Sequence, residues 1–243
     1  MSSSSPLGTR SDWTESLSRQ RDRLRAASTA ARVADLIRSQ VLDGRLEPGV
    51  QLGEEALVEA LGVSRNTIRE GLAILGHERL VEHRRHRGVF VRRLSQDDLA
   101  DLCGLRRALE CGALREAAGL GGPLDPDLVA AVVAAADEGT RAVERNDWGA
   151  VGTANSRFHI GLAALPGNPR IDAAITSLLA EMRLAFLVVA DAEAMHAPYV
   201  PAHTELAAQV SAGDLDEAAV ALDAYLRRSQ HHLITAYAAA VGE

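Results

Sequence analysis

The chain has 243 residues, of which 47% are hydrophobic and 24% charged, a balance that excludes a disordered or fibrous polymer and leaves room for one large domain or two modest ones. With only 3% aromatic residues the core must be aliphatic, which favours packed helices over a β-sandwich. The formal net charge of −7 divides unevenly: residues 1–94 carry 16 Arg against 12 acids, and residues 95–243 carry 10 Arg against 21 acids. A basic front suits a polyanionic partner, while an acidic back argues against nucleic-acid binding over the whole surface.

Residues 1–28 are polar and Ser-rich at the start and are expected to form a flexible N-terminal tail. "MSSSSPLGTR" has no apolar stretch of a secretory signal, and no run of about 18 apolar residues exists, so the protein is expected to be soluble and cytoplasmic with no membrane partner. "TAARVADLIRSQVLDG" then sets Val33, Leu36, Ile37 and Val41 at helical spacing and stops at Gly44. "LEPGVQL" reads as a turn, "GEEALVEALG" as a short second helix, and Ser64 as the N-cap of a third helix with Ile68, Leu72 and Leu75 on its buried stripe. "RLVEHRRHRGVFVRR" alternates on both sides of Arg87-Gly88, a hairpin signal. Beyond Arg93 the spacing predicts six helical segments, roughly 96–119, 125–145, 147–165, 169–191, 199–212 and 214–241, joined by short breaks such as "PGNP" and "APYVP". Long Ala- and Leu-rich helices with short connections make an antiparallel bundle, so the fold class is mainly α. Cys103 and Cys111 fall about 12 Å apart along one helix, too far for a bridge, and read as small buried hydrophobes.

On the third helix Asn66 and Arg69 share a sector opposite the aliphatic stripe, with Arg65 at its edge. This is how the second helix of a helix-turn-helix offers its N-terminal residues to a major groove. A guanidinium fork matches two acceptors on guanine, and Ser or Thr hydroxyls and helix-start amides suit phosphates. Arg84, Arg85 and Arg87 at the hairpin tip would reach a flanking phosphate or the minor groove.

From Val33 to Val91 the order and spacing of "DGRLEPG", "LGVSRNTIREGL" and "RGVFV" resemble the winged helix-turn-helix of GntR-type bacterial transcription regulators. In the fatty-acid-regulator branch of that family the DNA contacts match Ser64, Arg65, Asn66, Thr67 and Arg69, with the wing glycine at Gly88. Glu55 stands where some members carry an arginine, so operator preference does not transfer. The back half is similar to that branch's all-helical FCD domain in "LRRALECGALREAA", "NSRFHIGLAALPGNPRI" and "HTELAAQVSAGDLDEAAVALDAYLRRS", and fits its six- or seven-helix form. The resemblance implies a winged helix-turn-helix domain over 29–94 and an effector-binding and dimerisation domain over 95–243.

It further implies an effector site from Arg106, Asn155, His159, His203 and Tyr225, with Arg106 or Arg107 anchoring an anion. A surface ion pair between one of those arginines and Glu110 is the plainer alternative. The branch rings a divalent cation with residues matching Asn155, His159 and His203 and a last-helix histidine, which here is Tyr225. A phenol and an amide are poorer donors, so zinc or nickel would need the effector's carboxylate to complete its shell. Without it the same residues form a metal-free pocket in which Tyr225 donates to the ligand. The expected protein is a homodimeric regulator, a repressor released from a palindromic double-stranded DNA operator by a small carboxylate metabolite. One alternative is a helical-bundle metalloenzyme fused to a DNA-binding module, though the site lacks the paired Glu-x-x-His of such enzymes, and no HExxH, GxSxG, P-loop or GxGxxG pattern occurs. The other is a structural nucleoid protein, which the acidic back half fits badly.

Overall fold

The computed structural model describes residues 21–189 and 191–242, so the expected tail lies outside it over 1–20 and is helical backbone over 21–28. Helix α1 (Arg21–Leu42) buries Ala30, Val33, Ala34, Ile37 and Val41 along one stripe. Leu36 does not belong to that stripe: it is 53% exposed. It lies about 100° round the helix from Ile37, and the small Ala30 and Ala34 take the inner positions instead. Their smallness has a use, because α1 crosses α3 so closely that a methyl on Gly71 would meet Val33 Cγ1 at 2.8 Å and the Ala30 carbonyl at 3.1 Å.

Helix α2 (Glu54–Leu61) ends at Gly62, whose φ of 65° is the left-handed cap that turns the chain toward α3 (Arg65–His77). The expected hairpin is present as β2 (Val81–Arg84) and β3 (Gly88–Val91). The segment read as a plain turn adds a further strand, β1 (Gln51–Leu52), which pairs antiparallel with β3 through Gln51–Phe90 and Leu52–Val89. The sheet order is β1-β3-β2, a small wing beside three helices.

The remaining described residues form helices with explicit start signals. Ser95 and Asp98 make a reciprocal capping box at α4 (Gln96–Gly119), and Asp125 followed by Pro126 opens α5 (Pro126–Glu144). Asp147 caps α6 (Trp148–Ala164), and Asn168 with Pro169 opens α7 (Pro169–Phe186). Helix α7 stops five residues before the expected boundary of 191. The break before the next long helix holds a short helix of its own, α8 (Ala192–His196), and a 3₁₀ turn (Ala197–Tyr199). Helices α9 (Val200–Ala212) and α10 (Leu215–Val241) close the bundle. Its core is largely aliphatic, as the composition requires, with Leu99, Leu114, Leu162, Ile175 and Leu222 fully buried beside the large rings of Phe158, Tyr225 and Tyr237. Each such side chain contributes about 1.5–3 kcal/mol by leaving water. Cys103 and Cys111 are buried and unbridged. Among the described residues, no helix is long and apolar enough to cross a membrane.

The front unit is seated on the bundle by specific polar contacts. Arg92, just after β3, pairs with Asp98 of α4 and Glu181 of α7, each at 2.7 Å. Tyr237 of α10 donates its hydroxyl to the Leu94 carbonyl at 2.7 Å, and Arg157 of α6 faces Asp43 at 3.5 Å.

Candidate functional site

Two groups of residues carry chemistry. The first lies at the start of α3. Ser64 accepts the Thr67 backbone N–H at 3.1 Å, and its hydroxyl pairs with that of Thr67 at 2.8 Å. Thr67 is therefore turned inward, 9% exposed, and shapes the helix start instead of offering its hydroxyl to a partner. Arg65, Asn66 and Arg69 are exposed, as the helical wheel requires. Each is held by a carboxylate: Arg65 by Glu55 at 2.9 Å, Arg69 by both oxygens of Glu54 at 3.0 and 2.9 Å, and Asn66 by Glu70 at 2.8 Å. Exposed pairs of this kind are worth little in water, so a polyanion can replace them. At the wing tip Arg85, Arg87 and Gly88 are exposed, and Gln51 donates to the Arg87 carbonyl at 2.9 Å, tying the tip to β1. Arg84 is not available in the same way: it pairs with Glu82 at 2.6 Å and lies over the Phe90 ring at 4.5 Å.

The second group is buried where α4, α6, α9 and α10 meet. Helix α4 supplies Arg106 and Glu110 four residues apart, and α6 supplies Asn155 and His159 at the same spacing, so each pair faces inward together. Helix α9 adds His203 and α10 adds Tyr225. All five residues expected at the effector site are brought together and are at most 7% exposed. Arg106 Nε donates to Glu110 Oε1 at 2.6 Å, and Glu110 Oε2 lies 2.7 Å from His159 Nδ1. The far nitrogen of that ring, Nε2, is 3.2 Å from the Tyr225 hydroxyl, and His203 Nε2 is 2.9 Å from it. The hydroxyl is also 3.4 Å from Asn155 Oδ1, and Phe158 stacks on the His203 ring at 4.4 Å.

Burial opposes a charge on Glu110, but Arg106 and then His159 outweigh it and hold its carboxyl below the usual range. Burial, reinforced by Arg106, lowers the pKa of His159, and burial with the neighbouring His159 takes His203 well below its ordinary value. Burial raises the Tyr225 phenol. With two neutral imidazoles, a neutral phenol and a carboxylate, His159 donates from Nδ1 to Glu110 and His203 donates from Nε2 to the Tyr225 oxygen. The single hydroxyl hydrogen of Tyr225 then serves His159 Nε2 and Asn155 Oδ1, both of which accept from it.

The plainer alternative for Arg106 changes here. Its pair with Glu110 is not on the surface: both are buried, and Arg106 Nη2 has no hydrogen-bond partner among the described residues. Arg107 is the outward one, 3.7 Å from Asp223. The group is also not poor in carboxylate, because Glu110 sits at its centre. The sequence carried a signal for this, since Glu110 falls in the helical register of Leu99, Cys103, Arg106, Ala113 and Leu114, all buried. A cleft of about 180 Å³ between α9 and α10 reaches Tyr225, with Glu205, Gln209 and Arg228 in its walls but not Arg106.

The cation expected at Asn155, His159 and His203 can be tested on this geometry. Glu110 orients His159 as carboxylates orient metal-bound imidazoles. The two Nε2 atoms, however, converge on the Tyr225 oxygen. A cation at the ordinary distance of about 2.1 Å from His159 Nε2, on the 3.2 Å line to that oxygen, would fall roughly 1 Å from it, far inside a metal–oxygen bond. As they stand, the residues do not fit a metal ion. Among the described residues, no group of three or more His, Cys, Asp or Glu side chains is placed to hold one.

Comparison with known proteins agrees with both halves. Residues 29–91 match the bacterial regulatory proteins of the gntR family, and residues 101–228 match the FCD domain. A helix-turn-helix transcriptional regulator from an unstable DNA locus of Streptomyces ambofaciens is 30% identical over 192 residues, 79% of each chain. The gluconate operon repressor of Bacillus subtilis is 34% identical over 87 residues, covering 36% of this chain and 35% of its own. A GntR-type regulator from Rhodococcus sp. RHA1 superposes with a TM-score of 0.75 at 36% identity, covering 86% of this chain and 98% of that one. The metalloenzyme alternative finds no support among them.

Proposed function

Because the chain belongs to the GntR family of bacterial regulatory proteins, with an FCD domain behind its winged helix, it is a DNA-binding transcription regulator and not an enzyme, and we propose that it is a cytoplasmic repressor released from its operator by a small carboxylate. The observation that carries this reading is the exposed row Arg65, Asn66 and Arg69 at the capped start of α3, standing over a bundle with a buried guanidinium arm to spare. The row reads bases, Ser64 and the helix-start amides take a phosphate, and Arg85, Arg87 and Gly88 of the wing meet the flanking backbone. One such helix spans too few base pairs for useful specificity, so the protein acts as a homodimer on a palindromic site. The boundaries 29–94 and 95–243 divide these two tasks.

The effector reaches the group formed by Arg106, Asn155, His159, His203 and Tyr225 through the cleft between α9 and α10. Its carboxylate takes the free Nη2 of Arg106 and the Tyr225 hydroxyl, which costs the hydroxyl its present partners and shifts α10 against α6. Relatives over somewhat more than a third of the chain include a probable repressor of a D-xylose operon and a repressor of a gluconate operon, which favours repression.

Sequencing the genomic fragments that the purified protein retains tests the reading. An inverted repeat should emerge, and Arg65→Ala or Arg69→Ala should weaken binding to it roughly 10- to 100-fold. Fragments without a shared motif, or two mutants that bind the repeat like wild type, would remove the assignment of α3.

A further inference from the structure

We propose that in this protein the hydroxyl of Tyr225 takes the place of a divalent cation, so that the buried site is assembled by hydrogen bonds and works without metal. Three contacts meet at one atom. The Nε2 atoms of His159 and His203, on two different helices, both aim at the Tyr225 oxygen, at 3.2 and 2.9 Å, and Asn155 Oδ1 stands 3.4 Å away. These are the donor atoms that would otherwise surround an ion. Glu110 holds His159 from behind at 2.7 Å, so the outer support of a metal site is kept while its centre is a phenol.

The physical exchange is balanced. A cation would join α6, α9 and α10 through three or four bonds of about 2 Å, whereas the hydroxyl joins the same three helices through longer hydrogen bonds. It adds no charge to a fully buried space in which Arg106 and Glu110 already neutralise each other. The amide of Asn155 fits that economy, since a carboxylate there would leave an unpaired negative charge among neutral rings. Asn155 and Tyr225 thus suit each other: neither brings a charge that the other would have to balance.

Metal content of the full chain tests this without DNA or effector, so a failure here leaves the proposed function standing. Protein stripped with chelator is dialysed against Zn²⁺ or Co²⁺. Ions per chain, the cobalt visible spectrum and the melting midpoint are then compared with His203→Ala, which subtracts binding by surface histidines. Wild type should take up no more ion than His203→Ala and should melt at the same temperature with metal or chelator. Tyr225→His should gain one ion per chain, a cobalt band and a higher midpoint with metal. If Tyr225→His does not fold, Tyr225→Phe, which removes only the oxygen, should bind cobalt at least tenfold more tightly than wild type. One ion per wild-type chain that His203→Ala abolishes would overturn the proposal. So would variants lacking the hydroxyl that take up no more metal than wild type.

Discussion

Arg65, Asn66 and Arg69 leave α3 already held by Glu55, Glu70 and Glu54, so the face proposed to read DNA carries its own negative charge. On that proposal DNA must displace those carboxylates, and any that remain near the duplex repel its phosphates. Glu54→Gln and Glu55→Gln should therefore tighten binding to operator and unrelated DNA alike, severalfold, with the gain largest at low salt. Fluorescence anisotropy with both duplexes checks this, and a loss confined to the operator would mean that Glu55 itself reads a base. Glu110 is a different case, buried and bound on both sides. Glu110→Ala would leave Arg106 charged and unpaired in the core at a cost of about 3–5 kcal/mol, read as a drop in the urea midpoint. An unchanged midpoint would mean that water reaches the site.

Helix α6 links the buried group to the front unit. Four residues before Ser156 it carries Gly152, and a methyl there would overlap Arg183 Nη1 of α7. That guanidinium donates to the Gly149 carbonyl at 3.2 Å, and a methyl on Gly44, in the turn after α1, would meet its Nη2 at 3.1 Å. Burial lowers its pKa to about 10, and its Nε has no partner among the described residues. Arg183 thus lies wedged between α6 and the turn after α1, with Gly152 and Gly44 leaving the room. Gly152→Ala should destabilise the protein by about 1–3 kcal/mol, as overpacking does. Combined with Arg183→Ala the loss should be smaller than the sum of the two single losses, because the clash needs both side chains. Additive losses in chemical denaturation would show that the helix relaxes elsewhere.

Across the whole molecule, stability should follow the buried histidines. Burial, then the charge of Arg183, brings the pKa of His196 down to about 3, and His159 and His203 are lowered in the same sense. In the unfolded chain these rings titrate near 6.5, so below that pH the unfolded state binds protons that the folded state refuses. Stability is then fully present above about pH 7 and is lost on acidification, with His196 alone costing about 1.4 kcal/mol per pH unit between 6 and 3. The low carboxyl of Glu110 extends the loss further into acid. Denaturant midpoints at pH 7.5, 6 and 5 should be level at first and then fall steeply. A midpoint that holds from 7.5 to 5 would mean that these histidines are charged in the fold.

The sequence by itself determined the helices and their starts, because caps, glycines and aliphatic spacing act within a few residues. Ser64 before "RNTIREGL", Ser95 with Asp98, and Asn168 with Pro169 needed no neighbour from elsewhere in the chain. For the same reason it determined which side of α3 faces out, since the stripe Ile68, Leu72 and Leu75 fixes the rest of the wheel. It brought Asn155, His159, His203 and Tyr225 into one list through resemblance, yet left open whether an ion or a hydroxyl stood among them. The tertiary structure adds that both imidazole Nε2 atoms aim at the Tyr225 oxygen, the observation on which the proposal of a metal-free site rests. Strand β1 exists because two residues meet β3 some forty positions later, and Leu36 is exposed while Ala30, Val33 and Ala34 take the buried stripe. Glu110 looked like half of a surface pair until α6 set His159 against it, and Tyr225 looked like a lost ligand until both imidazoles were found to point at its oxygen. Periodicity says which face of a helix is inside, but the chemistry of a buried group depends on distances between helices, which no local pattern contains.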